Sequence, residues 1–168
     1  MGTGSEYWNP GFSIGGNAFY PVAPSLAVGG RIAYNRWTPD EEALTAPFAG
    51  YGIDWDISGS ASIVEFVPAI RIAPPTPPNQ SINFFGQFGF GLFQMNFTAR
   101  VRGTYAGQTV ETFSEDSEMK TGFSLGGGIT VGGGKRLGFE ILPLYHIILT
   151  EGESTKYFSV AVGVVFGQ

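Results

Sequence analysis

Large apolar residues in this chain recur at every second position, and that spacing confines most of it to β-strands. Near the end, Phe158, Val160, Val162, Val164 and Phe166 share one side, with Ser159, Ala161, Gly163 and Gly167 on the other. Ile82, Phe84, Phe88, Phe90 and Leu92 likewise oppose Asn83, Gln87, Gly89 and Gly91 before the phase blurs near Phe93. Phe123, Leu125, Ile129 and Val131 oppose Ser124, Gly126, Gly128 and Thr130. Helical periodicity is nearly absent, so an all-β chain is expected. Its strands run over about 11–22, 25–37, 56–73, 81–103, 107–132, 136–150 and 155–167, in a single domain spanning 1–168.

The second face decides the environment. A soluble sandwich or barrel turns its large residues inward and shows Lys, Glu and Thr to water, whereas here the alternate face is Gly, Ser and Ala. Charged residues make up 14% of the chain, against about 25% in an ordinary soluble domain. Gly, Ser, Asn or a charge interrupts every apolar stretch well short of the roughly 18 residues of a spanning helix. A membrane crossing would therefore use strands, with the large residues facing lipid and the small ones facing a narrow lumen.

Alternation places Arg31, Glu65, Arg71, Glu140 and His146 on the small, polar face. Two Arg and two Glu cancel there, as a filled, low-dielectric interior requires. Of the 14 acids, the other twelve (Glu6, Asp40, Glu41, Glu42, Asp54, Asp56, Glu111, Glu115, Asp116, Glu118, Glu151 and Glu153) fall at one end. That end carries the long segment from Thr38 to Trp55 and the polar, extended region from Arg102 to Glu118. The opposite end has short or stiff turns at Ala23-Pro24, Pro74 to Gln80 and Gly132 to Gly134, beside Lys135 and Arg136. Tyr20, Phe84 and Phe166 at one end, and Tyr34, Trp37, Trp55 and Tyr157 at the other, make two aromatic girdles. The expected fold is an antiparallel up-and-down transmembrane β-barrel.

The stretches from Gly11 to Tyr20 (GFSIGGNAFY), Leu26 to Tyr34 (LAVGGRIAY) and Tyr157 to Phe166 (YFSVAVGVVF) resemble the small bacterial outer-membrane β-barrels of the OmpA/OmpX-like superfamily. The resemblance covers nearly the whole chain as a pattern, without an invariant motif. It implies a bacterial outer-membrane location, a lipid bilayer with lipopolysaccharide as surroundings, and insertion by the barrel-assembly machinery. Phe166 resembles the terminal aromatic which that machinery reads, although Gly167 and Gln168 follow it. Such barrels have an even strand number, usually eight at this size, and seven are identified here. A truncated eight-strand design lacking its first strand is expected. The alternatives are that residues 43–53 supply the eighth strand, that seven close, or that an open edge takes a strand from another chain or builds an oligomer. The opening Met1 to Glu6 has no basic and apolar leader, so the sequence reads as a mature form or a fragment.

Cysteine is absent, so no thiolate site or thiol nucleophile is available, and no cofactor is expected. His146 is the single histidine; it excludes a multi-histidine metal site and is the residue any Ser-His-Asp triad would need. Outer-membrane lipid A deacylases carry a Ser two positions after their His, and Ile148 stands there. A structural histidine pairing with Glu140 or a neighbour is the reading preferred. Glu65 and Glu140 read as members of an ion-pair network, not as an acid/base couple. The glycine runs 126–128 and 132–134 open no helix and make no phosphate loop. The acidic run from Ser114 to Glu118 lacks the fixed ligand spacing of a calcium loop. A net charge of −5, with no basic stripe, argues against nucleic acid. The function expected is non-enzymatic: a barrel whose lumen is plugged by paired charges and whose acidic loops serve envelope structure, adhesion or surface interaction. A small-solute or hydrophobic-ligand channel is the alternative.

Overall fold

The computed structural model describes residues 9–46, 54–75, 81–105, 108–132, 137–150, 152 and 154–166. Seven strands follow one another: β1 Phe12–Ala23, β2 Leu26–Trp37, β3 Asp54–Ile72, β4 Ile82–Tyr105, β5 Gln108–Val131, β6 Leu137–Leu149 and β7 Ser154–Phe166. They form one antiparallel up-and-down sheet in the order β1-β2-β3-β4-β5-β6-β7, which does not close into a barrel. All seven lie within two residues of the spans expected from alternation.

One helix is present among the described residues, α1 over Glu41–Thr45. Asp40 starts it, its side chain accepting from the Ala43 N–H at 3.1 Å, with Glu41 and Glu42 in the first turn. This corrects the option of an eighth strand over residues 43–53: 43–45 are helical, and 47–53 lie outside the described residues. The polar region from Arg102 to Glu118 is no loop either; apart from Gly107, which lies outside the described residues with Ala106, it forms the facing ends of β4 and β5. Glu6, the 76–80 part of the turn from Pro74 to Gln80, Gly133, Gly134, Lys135, Arg136, Glu151, Glu153 and Gly167 also lie outside the described residues.

Contacts group the chain into two compact units. The first contains Met1–Phe12, Asn35–Ile63 and Gln94–Glu118. Here the ends of β4 and β5 are laced by side chains: Arg100 and Arg102 meet Glu111 at 3.2 and 3.1 Å, Thr104 meets Thr109 at 3.1 Å, and Ser117 donates to Asn96 at 2.7 Å. These are exposed cross-strand pairs, each contributing a fraction of a kcal/mol at most, roughly 0.2–1. Asp40, Glu41, Glu42, Asp56, Glu111, Glu115, Asp116 and Glu118 belong to this unit, so most of the expected acidic end is gathered in it.

The second unit contains Ser13–Tyr34, Val64–Phe93 and Met119–Gln168, and here the two faces of the sheet differ sharply. One face is exposed and apolar, carrying Phe66, Phe84, Phe88, Phe90, Leu125, Phe158, Val160 and Val162, the last 74% exposed. The other is buried and holds Arg31, Glu65, Gln87, Ser124, Glu140, His146 and Ser159 together with Val67, Phe85, Phe93, Leu142, Leu144 and Ile148. The small-and-polar expectation for this face thus needs correcting, because it carries large apolar groups as well. Its glycines are the spaces these groups occupy. A Cβ on Gly128 would meet the Phe85 ring at 2.6 Å, one on Gly122 the Phe93 ring at 2.9 Å, and one on Gly126 the Leu144 methyl at 2.9 Å. Phe93, where the alternation blurs, keeps the phase and turns to the buried face.

Candidate functional site

Alternation in β2, β3 and β6 brings all five expected residues, Arg31, Glu65, Arg71, Glu140 and His146, to the buried face of the second unit. They separate into two groups. In the first, the Arg71 guanidinium grips Glu140 as a fork, Nη1 donating at 2.7 Å and Nη2 at 3.2 Å. The same Nη2 donates to Gln87 Oε1 at 2.9 Å, and Asn17 Nδ2 donates to Glu140 at 3.4 Å. Phe19 and Phe85 press on the two sides of the guanidinium, their ring centres 4.2 and 4.0 Å from Cζ. A two-bond fork, a neutral acceptor and two aromatic faces hold the cation through both terminal nitrogens, while Nε donates to nothing among the described residues.

The second group is built around Glu65, whose carboxylate is wholly buried. Arg31 Nε lies 3.5 Å from one oxygen and His146 Nδ1 lies 3.6 Å from the other. The remaining histidine nitrogen, Nε2, is 3.0 Å from Ser159 Oγ on the next strand. The imidazole is clamped flat, stacked on Tyr157 at 4.2 Å with planes 2° apart, and edge-on to Phe93 at 6.2 Å. Tyr157 is therefore corrected from the outer aromatic girdle to the buried face, where its ring fixes the imidazole plane. His146 faces Glu65, not Glu140, which lies six residues away along β6.

Glu65, His146 and Ser159 stand in the order of an acyl-transfer relay, and the geometry says how far that goes. The approach of Glu65 to Nδ1 is longer than a hydrogen bond. Ser159 sits within the β6–β7 ladder, buried and directly opposite Leu144. A hydrolase needs backbone donors aimed at a developing oxyanion, and the ladder commits the donors of β6 to their neighbours. The arrangement is suited to holding charge and fixing side chains.

Asn17, Gln87, Ser159 and Tyr157 complete the two groups and were not singled out with them by sequence. The signal that finds them is parity: Asn17 on β1, Gln87 on β4, and Tyr157 and Ser159 on β7 each take the phase whose alternate positions carry the large exposed residues. No protein family, curated protein or solved structure matches the chain.

Proposed function

We propose that the chain is a small outer-membrane-type transmembrane β-barrel protein, non-enzymatic, with an interior filled by paired charges and an acidic end that meets the outside. The observation that carries this reading is the inverted distribution of side chains in the second unit. Phe66, Phe84, Phe88, Phe90, Leu125, Phe158, Val160 and Val162 are exposed, while Arg31, Glu65, Glu140 and His146 are buried and Arg71 is half-buried beside them. In water that arrangement leaves a broad apolar surface wet and desolvates five ionisable groups, both unfavourable. In lipid the apolar face is solvated, and the charges gain from being paired away from it. The shorter strands, of twelve and thirteen residues, exceed the roughly 9–11 that a tilted strand needs to cross. Envelope structure, adhesion or surface interaction is the work proposed for such a protein, in the bacterial outer membrane.

Extraction tests the reading. The chain is refolded in detergent and in plain buffer, then compared by circular dichroism and by heat-modifiable gel mobility. Folded, heat-modifiable protein in detergent with aggregation in buffer is expected. A stable monomer without detergent would overturn the proposal.

A further inference from the structure

Among the described residues the sheet has two open edges, because β1 and β7 end the strand order, next to β2 and β6 respectively. Seven strands alternating in direction leave β1 and β7 running the same way, so a strand antiparallel to one is antiparallel to both. The interior brings these edges towards each other: Asn17 of β1 reaches the Glu140 carboxylate of β6, and Glu140 stands opposite Gly163 of β7. At that level a Cβ on Gly163 would meet nothing within 4 Å.

The backbone at both edges follows from the ladder. A Cβ on Gly122 or Gly128 would strike the carbonyl of Ile147 or Ile141, both at 2.6 Å, so odd-numbered residues of β6 aim their backbone at β5. The even ones bond β7 through Ala161 and Ser159, which leaves Phe158, Val160, Val162 and Val164 with N–H and C=O aimed at the open side. At β1 the Ala18 carbonyl is aimed at Gly29 of β2, so Ser13, Gly15, Asn17 and Phe19 turn their backbone outwards. Pro21 shares that phase, and its missing donor falls on the free edge, the position at which a strand tolerates proline. The two edges are thus complementary to one strand. Residues with side chains on the exposed face would bond β7, and the alternate residues, with side chains on the buried face, would bond β1.

We propose that the gap between β1 and β7 receives one extended segment of a separate polypeptide, antiparallel to both edges. Its large apolar residues lie beside Val160 and Val162, and its small residues face Gly163 and Gly15. Two rows of backbone hydrogen bonds give the affinity, and alternation gives the selection. The inference rests on the sheet edges and not on the membrane reading.

The probe is a synthetic peptide of about twelve residues, the length of β1, alternating Val with Ser and Gly. It is added to the full chain in whichever medium, detergent or buffer, keeps it folded. Amide exchange at Phe158, Val160 and Val162 is expected to slow roughly tenfold or more, with β3 to β5 unchanged. A scrambled peptide of the same composition is expected to leave it unaltered. No protection, or equal protection by both peptides, would overturn the proposal. The chain has no cysteine, so Gly16→Cys combined in turn with Val160→Cys, Val162→Cys or Val164→Cys gives a clean second test. An intramolecular disulfide would mean the seven strands close on themselves, and a disulfide-linked dimer would mean a second copy fills the edge. Either would overturn the proposal; free thiols that become shielded when the peptide is added support it. A chain that folds without detergent yet protects its edges would fail only the membrane reading.

Discussion

Arg71 is held against two aromatic rings and one carboxylate, so removing Glu140 leaves a largely desolvated cation with no counter-charge in its group. Glu140→Leu is expected to destabilise the protein by about 3–5 kcal/mol, and the double change Arg71→Met with Glu140→Leu to recover most of it. Denaturant midpoints of the two single variants and the double variant measure this, and additive losses would show that the two residues do not act as a pair. These charges were legible in the sequence as a set, because alternation fixes which face a residue takes. Their division into an Arg71–Glu140 group and an Arg31–Glu65–His146 group was not. That division depends on which strands face each other across the interior, a distance that residue spacing within a strand does not encode. Tyr157 was misjudged for a related reason: an aromatic near a strand end suits an interface belt and an imidazole stack equally well until its phase is compared with that of Ser159.

Strand boundaries came out within two residues because glycine, proline and acidic clusters end each alternating run, and the Gly132 φ of +88° at the end of β5 is a geometry that glycine adopts without strain. What alternation could not convey was why glycine is so frequent within strands. Read alone, a run of small residues means narrow space; in the structure, each of Gly122, Gly126 and Gly128 accommodates one particular large neighbour. Gly128→Ala is therefore expected to cost about 1–3 kcal/mol through collision with the Phe85 ring and the Ile141 carbonyl, both 2.6 Å from the new Cβ, and Phe85→Leu in the same chain to relieve the ring's share. Gly86→Ala serves as the control, since the nearest atom to its new Cβ is 4.0 Å away. Thermal or denaturant unfolding compares the variants, and an equal loss at positions 86 and 128 would mean that backbone conformation, not packing, is at issue.

An apolar exposed face over a charged buried one is a statement about the solvent of the whole molecule. If that face meets lipid, Phe88→Lys carries a charge into the bilayer and is expected to cost about 2–4 kcal/mol at the midplane. Phe113→Lys, at an exposed position in the first unit, is expected to cost much less. Refolding equilibria in lipid vesicles measure the difference, and similar losses at the two sites would argue against a membrane band around Phe88. Neighbour-to-neighbour strand pairing has a further consequence, in the assembly of the chain. Each ladder joins a strand only to those before and after it, so it can form in any register its turns allow. Arg71 and Glu140, sixty-nine positions apart, meet only when the strands between them are aligned. A one-residue slip of β6 would swing Glu140 and His146 onto the face of Phe158 and Val160 and strand Arg71 between its rings, so the buried ions act as an error check on assembly.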